Sequence, residues 1–499
     1  MAAAVAHGSA RRRRVSLWVA TAACVAGLLP LAVTRPAHAG EPTISSNNLR
    51  TGWDDAEPGL SPSSVQSSDF GQLFNTPVSG SVYGQPLVSG STLLVTTEKA
   101  IAYGINKVTG SVLWQHSFGA AFQSATVSCG DLAPDLGSTA TGVVDPATNT
   151  YYVTTKLVSS PGSTQGTWWL QAVDVGTGAN RPGFPVQIAG SPTNDPTNPF
   201  SGTLEQQRPG LLLLGGRVYL AFGAHCDYKP YKGYVVGVST TTGAITGFWA
   251  AVIGPSSGAG IWQSGGGLMS DGQDRIFLST GNGFFGAISD GTTGFLGESV
   301  VRLDVGATGA LSTADWFTPA NAPALDTNDT DFGSGAPMGL PDGFGTAAHP
   351  HLLVQVGKDG RMFLLDRDNL GGFAGAGGTD KVVSMTSNIG GLWGSPAFFG
   401  GAGGLLYLTT SFHSLTAYSY GLTGAGVPAL TYAAASKVNF PYTSGSPVVT
   451  SNGTDTSSAT VWQIYSGASD GTGGALQAYR AIPSNGVLNL LWQQPIGTV

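Results

Sequence analysis

The stretch AYGINKVTGSVLW (102–114) returns six more times along the chain, and that return limits the fold more than any other feature. Its copies are QAVDVGTGANRPGF (171–184), VVGVSTTTGAITGFW (235–249), VVRLDVGATGALSTADW (300–316), MFLLDRDNLGG (362–372), LTAYSYGLTG (415–424) and LQAYRAIPSNGVLNLLW (476–492). Each reads as a strand, a turn ending in glycine, and in most copies a second strand closing on an aromatic residue. The turn glycines are Gly110, Gly178, Gly243, Gly309, Gly371, Gly424 and Gly486, spaced by 68, 65, 66, 62, 53 and 62 residues. Self-similarity at such a period marks a repeat architecture, in which one unit buries its apolar face only against the next.

A further strand pair precedes each copy, such as QPLVSGSTLLVTT (85–97) or RPGLLLLGGRVYLAFG (208–223). Four strands per unit and seven units predict an all-β chain folded as a single β-propeller. Glycine, at 75 of 499 residues, suits this many turns, and no long helical pattern competes with it. The turn glycine supplies positive φ at little steric cost, and the closing Trp or Phe buries a large apolar area between blades. GQLFNTPVSG (71–80) resembles one more outer strand, so an incomplete eighth blade is the alternative to seven.

Residues 1–39 read as an export signal: Arg11–Arg14 form a basic start, VSLWVATAACVAGLLPLAV is an apolar core, and Ala37-His38-Ala39 precedes a cleavage point at Gly40. A retained membrane anchor is the other reading of the same stretch. Residues 40–66 then form an N-terminal extension and 67–499 the propeller. Cleavage would remove five arginines and no acid, leaving 17 basic and 29 acidic residues and a net charge of −12. No basic run remains, which argues against nucleic acid as a partner. No second apolar stretch approaches the length of a membrane span, so the expectation is an exported protein, secreted or associated with the cell envelope.

Cys129 and Cys226 remain after cleavage. Paired, they would close a loop of roughly a hundred residues, worth about 4–5 kcal/mol in the chain-entropy model. Two buried free thiols are the alternative. There is no CxxC and no Cys/His cluster, which argues against zinc.

The strand pair followed by D-x-x-T-G-x-x-x-W resembles the repeat of the quinoprotein (pyrroloquinoline quinone, PQQ) alcohol dehydrogenase superfamily and its non-catalytic propeller relatives. The likeness covers most of residues 45–372, and it implies eight blades. IWQSGGG places Trp262 where that family has the tryptophan beneath the quinone. STGNG places Asn282 at a position similar to a calcium-ligating asparagine, and TDFGSG places Asp331 at the catalytic base and in the calcium site. VGKDGRMFLLDRD places Lys358 at the cofactor-contacting cation, and GAHCDYKPYKGY offers Asp227, or less aptly His225, as a further calcium ligand. The chemistry is coherent: an aromatic face supports a planar cofactor, oxygen ligands hold Ca2+, a carboxylate takes the alcohol proton, and a cation stabilises the reduced quinone. The adjacent cysteines common in these dehydrogenases are absent, because VSCGD has Ser128 beside Cys129.

Each residue also has a structural reading. Trp262 packs between blades, Asn282 sits in a turn, Asp331 caps a loop, and Lys358 is a solvated hairpin tip; Asp326 and Asp329 read as turn residues. The expectation is therefore a non-catalytic binding or scaffold propeller presenting its channel face to a protein, peptide or glycan, without cofactor. The alternative is a Ca2+/PQQ-dependent alcohol or sugar dehydrogenase. A propeller glycosidase lacks a clear carboxylate pair here.

Overall fold

The computed structural model describes residues 40–283, 294–442 and 445–499; the expected export signal lies outside them. Among the described residues seven sheets of four or five strands follow one another along the chain. Blade 1 spans 87–117, blade 2 143–188, blade 3 205–250, blade 4 275–318, blade 5 338–386, blade 6 397–439 and blade 7 448–497. This is a seven-bladed β-propeller, not the eight-bladed ring that the family likeness implied. No described helix is long and apolar enough to cross a membrane.

The repeat works as local chemistry. Asn106 Oδ1 accepts from the N–H groups of Val108 and Thr109, and Asp174 Oδ1 accepts from Gly176 and Thr177. The carboxamide or carboxylate thus opens the turn, and glycine closes it in the left-handed region. Gly110, Gly178, Gly243, Gly309, Gly371 and Gly486 have φ of +73°, +71°, +69°, +94°, +108° and +74°. Two copies depart from the pattern. In blade 6 the positive φ belongs to Gly426 (+76°) and not to Gly424. After Gly371 the chain detours, and Gly372–Phe373 pairs in parallel with blade 4 before Ser384–Thr386 completes blade 5.

The closing tryptophans join neighbours. Trp114 Nε1 donates to the Val175 carbonyl of blade 2, and Trp249 Nε1 donates to Thr313 Oγ1 of blade 4. Apolar clusters fill six joints in the same way; between blades 3 and 4, Tyr219, Val235 and Trp249 meet Ile276, Leu278 and Val301. The seventh joint is built differently. Phe74, Val78 and Val82 cover the Leu93, Val95 and Tyr103 face of blade 1. Phe70 meets Trp462 and Trp492 of blade 7, with ring centroids 6.1 and 5.0 Å apart. Residues 71–80, read as a further outer strand, form no strand and act as filler in this joint.

Residues 41–52 run around the channel and touch every blade. Backbone N–H groups of Val88, Val144, Ser270, Gly339, Phe398 and Val449 donate to carbonyls of Glu41, Pro42, Asn48, Leu49, Thr51 and Gly52. Asn48 Nδ2 donates to Leu213 O, which completes the circuit at blade 3. So tight a path needs sharp corners, and Ser45, Ser46, Arg50 and Gly52 all have φ between +54° and +68°. The Arg50 side chain is fully buried at the centre, where it donates to Leu268 O, Leu211 O, Ile44 O and Thr43 Oγ1. The expected extension is therefore a plug that closes one end of the channel.

Candidate functional site

The opposite mouth is formed by loops that lead into each innermost strand and out of the second strand. Glycines shape its floor. A Cβ at Gly223, Gly260 or Gly281 would lie 3.0, 2.9 or 3.1 Å from the Trp262 indole, so the ring rests against backbone there. Trp262 is half-buried, with the Tyr231 ring 6.4 Å away, and it does not lie in any of the apolar clusters between blades. A Cβ at Gly281 would also come within 2.4 Å of Asp331 Oδ1, which puts the indole and this carboxylate on either side of one glycine.

Asn282 leaves blade 4 and binds the 326–331 loop at several points. Its backbone N–H donates to Asp331 Oδ1 at 2.9 Å, and its Nδ2 donates to Asp329 Oδ1 at 2.6 Å. The Gly283 N–H donates to Asp326 Oδ1 at 2.6 Å. With Nδ2 committed to a carboxylate, the other amide atom faces away as an acceptor. Asn282 Oδ1 is buried and has no hydrogen-bond partner among the described residues. Asp326 and Asp329, expected as turn residues only, thus direct their carboxylates at the site.

Asp331 is 7% exposed, and Lys358 Nζ lies 2.5 Å from its Oδ2. Lys358 also donates to the Asp329 carbonyl at 3.1 Å, so it is no solvated tip. Burial pulls the Lys358 ammonium down, but the charges of Asp331 and Asp329 outweigh this and hold it above its ordinary value. Asn282, Asp331 and Lys358 therefore form one bonded cluster beside Trp262.

Asp227 stands on the rim, left-handed at φ +52°. Burial raises its carboxyl pKa first and the charges of Asp331 and Asp329 add to this, while the Tyr231 hydroxyl works the other way. It shares a cleft of about 810 Å3 with Lys229, Tyr231, Ser257, Asn282 and Asp326. His225, the other residue considered there, is turned inward: Lys156 Nζ lies 2.6 Å from its Nε2. Burial, with Lys156 and Arg208 nearby, pulls His225 down to about 3.

Cys129 and Cys226 are bonded, with Cα atoms 5.9 Å apart. This crosslink ties the loop after blade 1 to blade 3 directly before Asp227, and Tyr228 OH donates to Ser128 O beside it.

Glu298 was missed by the sequence reading. Its Oε2 accepts the Phe332 N–H at 2.6 Å, directly behind Asp331. Burial pushes its carboxyl up to about 9, with Asp331 and Asp326 adding to the shift. The only signal was an acid in GESVVRL, one residue short of a buried strand.

No family model matches the sequence, and no curated protein matches it. Solved structures do match. A quinohemoprotein alcohol dehydrogenase from Comamonas testosteroni is 17% identical, with a TM-score of 0.61 over 93% of this chain and 74% of that one. A quinohemoprotein alcohol dehydrogenase from Pseudomonas putida HK5 is 13% identical, with a TM-score of 0.61 over 92% and 72%. A europium-containing methanol dehydrogenase is 14% identical, with a TM-score of 0.59 over 92% and 86%. Over more than nine-tenths of its length, the chain shares the β-propeller fold of these alcohol and methanol dehydrogenases.

Proposed function

We propose that the mouth binds a hard cation together with a planar quinone, and that the protein is an exported quinone-dependent dehydrogenase of alcohols or sugars. The observation that carries this reading is Asn282 Oδ1, a buried acceptor with no described partner, one hydrogen bond away from Asp331. The donors around it are oxygens: Asp331, Asp329 and, across the cleft, Asp227. Such a set suits Ca2+ or another hard, oxygen-seeking ion and is a poor match for softer metals. When bound, the quinone with its cation supplies the two-electron acceptor.

The chain supplies the rest. Trp262 gives a half-open aromatic face beside the cation ligands. Asp331, paired with the Lys358 ammonium, is the base for the substrate hydroxyl. Lys358 offers positive charge where negative charge develops. Glu298 keeps its proton at neutral pH and so adds no second negative charge behind Asp331.

A second reading rests on a specific contact. Asp331 Oδ2 is already paired with Lys358, and Cys129 is committed to Cys226. A mouth satisfied in this way suits a non-catalytic propeller that binds a protein, peptide or glycan. Terbium luminescence excited through tryptophan, followed by dye-linked oxidation with Ca2+ and PQQ over an alcohol and sugar panel, separates the two. The dehydrogenase reading expects a terbium signal that Asn282→Ala removes, and turnover that Asp331→Asn lowers by about 10²–10⁴-fold with unchanged melting. Cation binding without turnover leaves the binding-protein reading; no cation binding overturns the metal site.

A further inference from the structure

Trp393, Phe412 and Tyr442 form an exposed aromatic row on the open mouth, beside the cation cluster and not part of it. Trp393 lies in the loop into the innermost strand of blade 6, and Tyr442 in the loop into that of blade 7. Phe412 lies in the turn between the second and third strands of blade 6. The Tyr442 ring stands 4.9 Å from Trp393 and 5.8 Å from Phe412, tilted by 50° and 52° and so stacked flat on neither. Phe412 is 60% exposed and Tyr442 42%, whereas Trp114 and Trp249 of the blade joints are buried. Phe412 also holds a left-handed backbone, with φ +60°. The corresponding turns of blades 1 and 5 give that conformation to Ala100 and Gly360. A bulky residue is strained there, and an exposed ring gains little packing in return. Among the described residues neither the Trp393 indole N–H nor the Tyr442 hydroxyl makes a hydrogen bond, while Trp114, Trp168 and Trp249 each donate to a partner.

The row is continuous with the site. A Cβ on Gly391 would lie 3.0 Å from the Trp393 ring and 2.6 Å from the Lys358 carbonyl, so one glycine separates the indole from the residue paired with Asp331. Ser446, four residues after Tyr442, accepts the Ser395 N–H and donates to Gly265 O, three residues after Trp262. Chemistry and size limit the occupant. Residues 389–395, 410–414 and 440–442 contain no Asp, Glu, Lys or Arg, so an ionic ligand finds no permanent counter-charge on the row. Three partly exposed rings fall short of the about 800 Å2 that a standard protein interface takes from each partner. Aromatic faces edged by an unpaired N–H and hydroxyl suit a ring with an apolar C–H face and a rim of hydroxyls. A sugar has both, and an alkyl alcohol does not.

We propose that this row is a stacking shelf for a neutral sugar ring, and that a sugar, not an alkyl alcohol, is what the mouth takes up. Its oxidation rests on the dehydrogenase reading above: the C–H hydrogen leaves with its electron pair to the quinone, the hydroxyl proton goes to Asp331, and a C=O forms. The shelf rests on its own geometry. Calorimetry of the purified protein with methyl glycosides of glucose, galactose, mannose and xylose, and with 1-hexanol as the alkyl probe, reads binding apart from turnover. The unaltered protein is expected to bind at least one glycoside, and 1-hexanol more weakly. Phe412→Gly and Tyr442→Ala should each weaken that glycoside by about three- to tenfold, as loss of one ring contact does, with terbium binding unchanged. Melting of Phe412→Gly should hold or rise, because glycine carries no penalty at this φ, so its lost binding is not lost fold. No glycoside bound, glycosides bound normally by both variants, or a matching loss for 1-hexanol overturns the inference. Shelf-dependent glycoside binding without dye-linked oxidation of any free sugar keeps the shelf and removes the dehydrogenase. Dye-linked oxidation of 1-hexanol but of no sugar keeps the dehydrogenase and overturns the sugar.

Discussion

At the plugged end of the channel, Arg50 is enclosed by the oxygens of Leu268, Leu211, Ile44 and Thr43, and the 41–52 segment bonds to all seven blades. At the open end, Asn282 Oδ1 and Glu298 Oε1 are buried without described partners, and the carboxylates of Asp326, Asp329 and Asp331 crowd one loop. Both ends place charge in a confined space. At the plugged end the Arg50 charge is resolved internally by neutral oxygen acceptors, and Glu41 Oε2 is the plug's one buried side-chain oxygen without a described partner. The open end leaves acceptors and charges unresolved, which is the pattern of a site completed by something bound.

This contrast is open to test, and the largest effect is expected at the plugged end. Arg50→Ala would strand three buried carbonyls and open a void, costing about 3–5 kcal/mol of stability. Denaturant unfolding measures this, and a loss under about 1 kcal/mol would mean that the plug is not what holds the ring. Removing the mouth crosslink with Cys129→Ser and Cys226→Ser should cost less, about 2–4 kcal/mol, the typical range for a disulfide and below the roughly 4–5 kcal/mol that chain entropy alone assigns to a 97-residue separation. Thermal unfolding with and without reductant reads it. A cost larger than that of Arg50→Ala would reverse the ranking of the two ends.

The last test concerns Glu298, where the effect is a slope with pH and not a single loss of stability. Its folded carboxyl stands at about 9 against an ordinary 4.5, so the folded state holds a proton that the unfolded state has lost. Its stabilising contribution is complete below about pH 4.5 and declines as pH rises toward 9, by at most about 1.4 kcal/mol per pH unit. Glu298→Gln can still accept the Phe332 N–H and should flatten that decline. An unchanged stability profile between about pH 5 and 9 would show that Glu298 ionises freely, and would remove one of the unresolved groups from the open end.

The repeat was legible because its causes are local. Gly110, Gly178 and Gly243 declare their turns through an Asn, Asp or Ser four residues earlier, and Trp114 and Trp249 close strands that any one unit contains. Trp262, Asn282, Asp331 and Lys358 were legible as candidates because the short motifs around them resemble those of the quinoprotein dehydrogenases. Their contact was not, since it depends on loops of the neighbouring blades 4 and 5 meeting at one mouth. The left-handed residue moved from Gly424 to Gly426 because a hairpin two residues longer turns later.

What the sequence determined by itself is the unit: strand, turn, strand and the aromatic residue that joins it to the next. The number of units followed from counting them. Only the tertiary structure decided the plug, the filler at the seventh joint and the placement of Glu298 behind Asp331. None of these has a periodic signature, because each arises from side chains far apart in sequence meeting inside the ring. Residues 41–52 read as a polar extension with no strand pattern, yet ring closure gives their carbonyls inner strands to bind. Local preference writes the blade, and the closed circle decides which leftover charges are neutralised and which wait for a ligand.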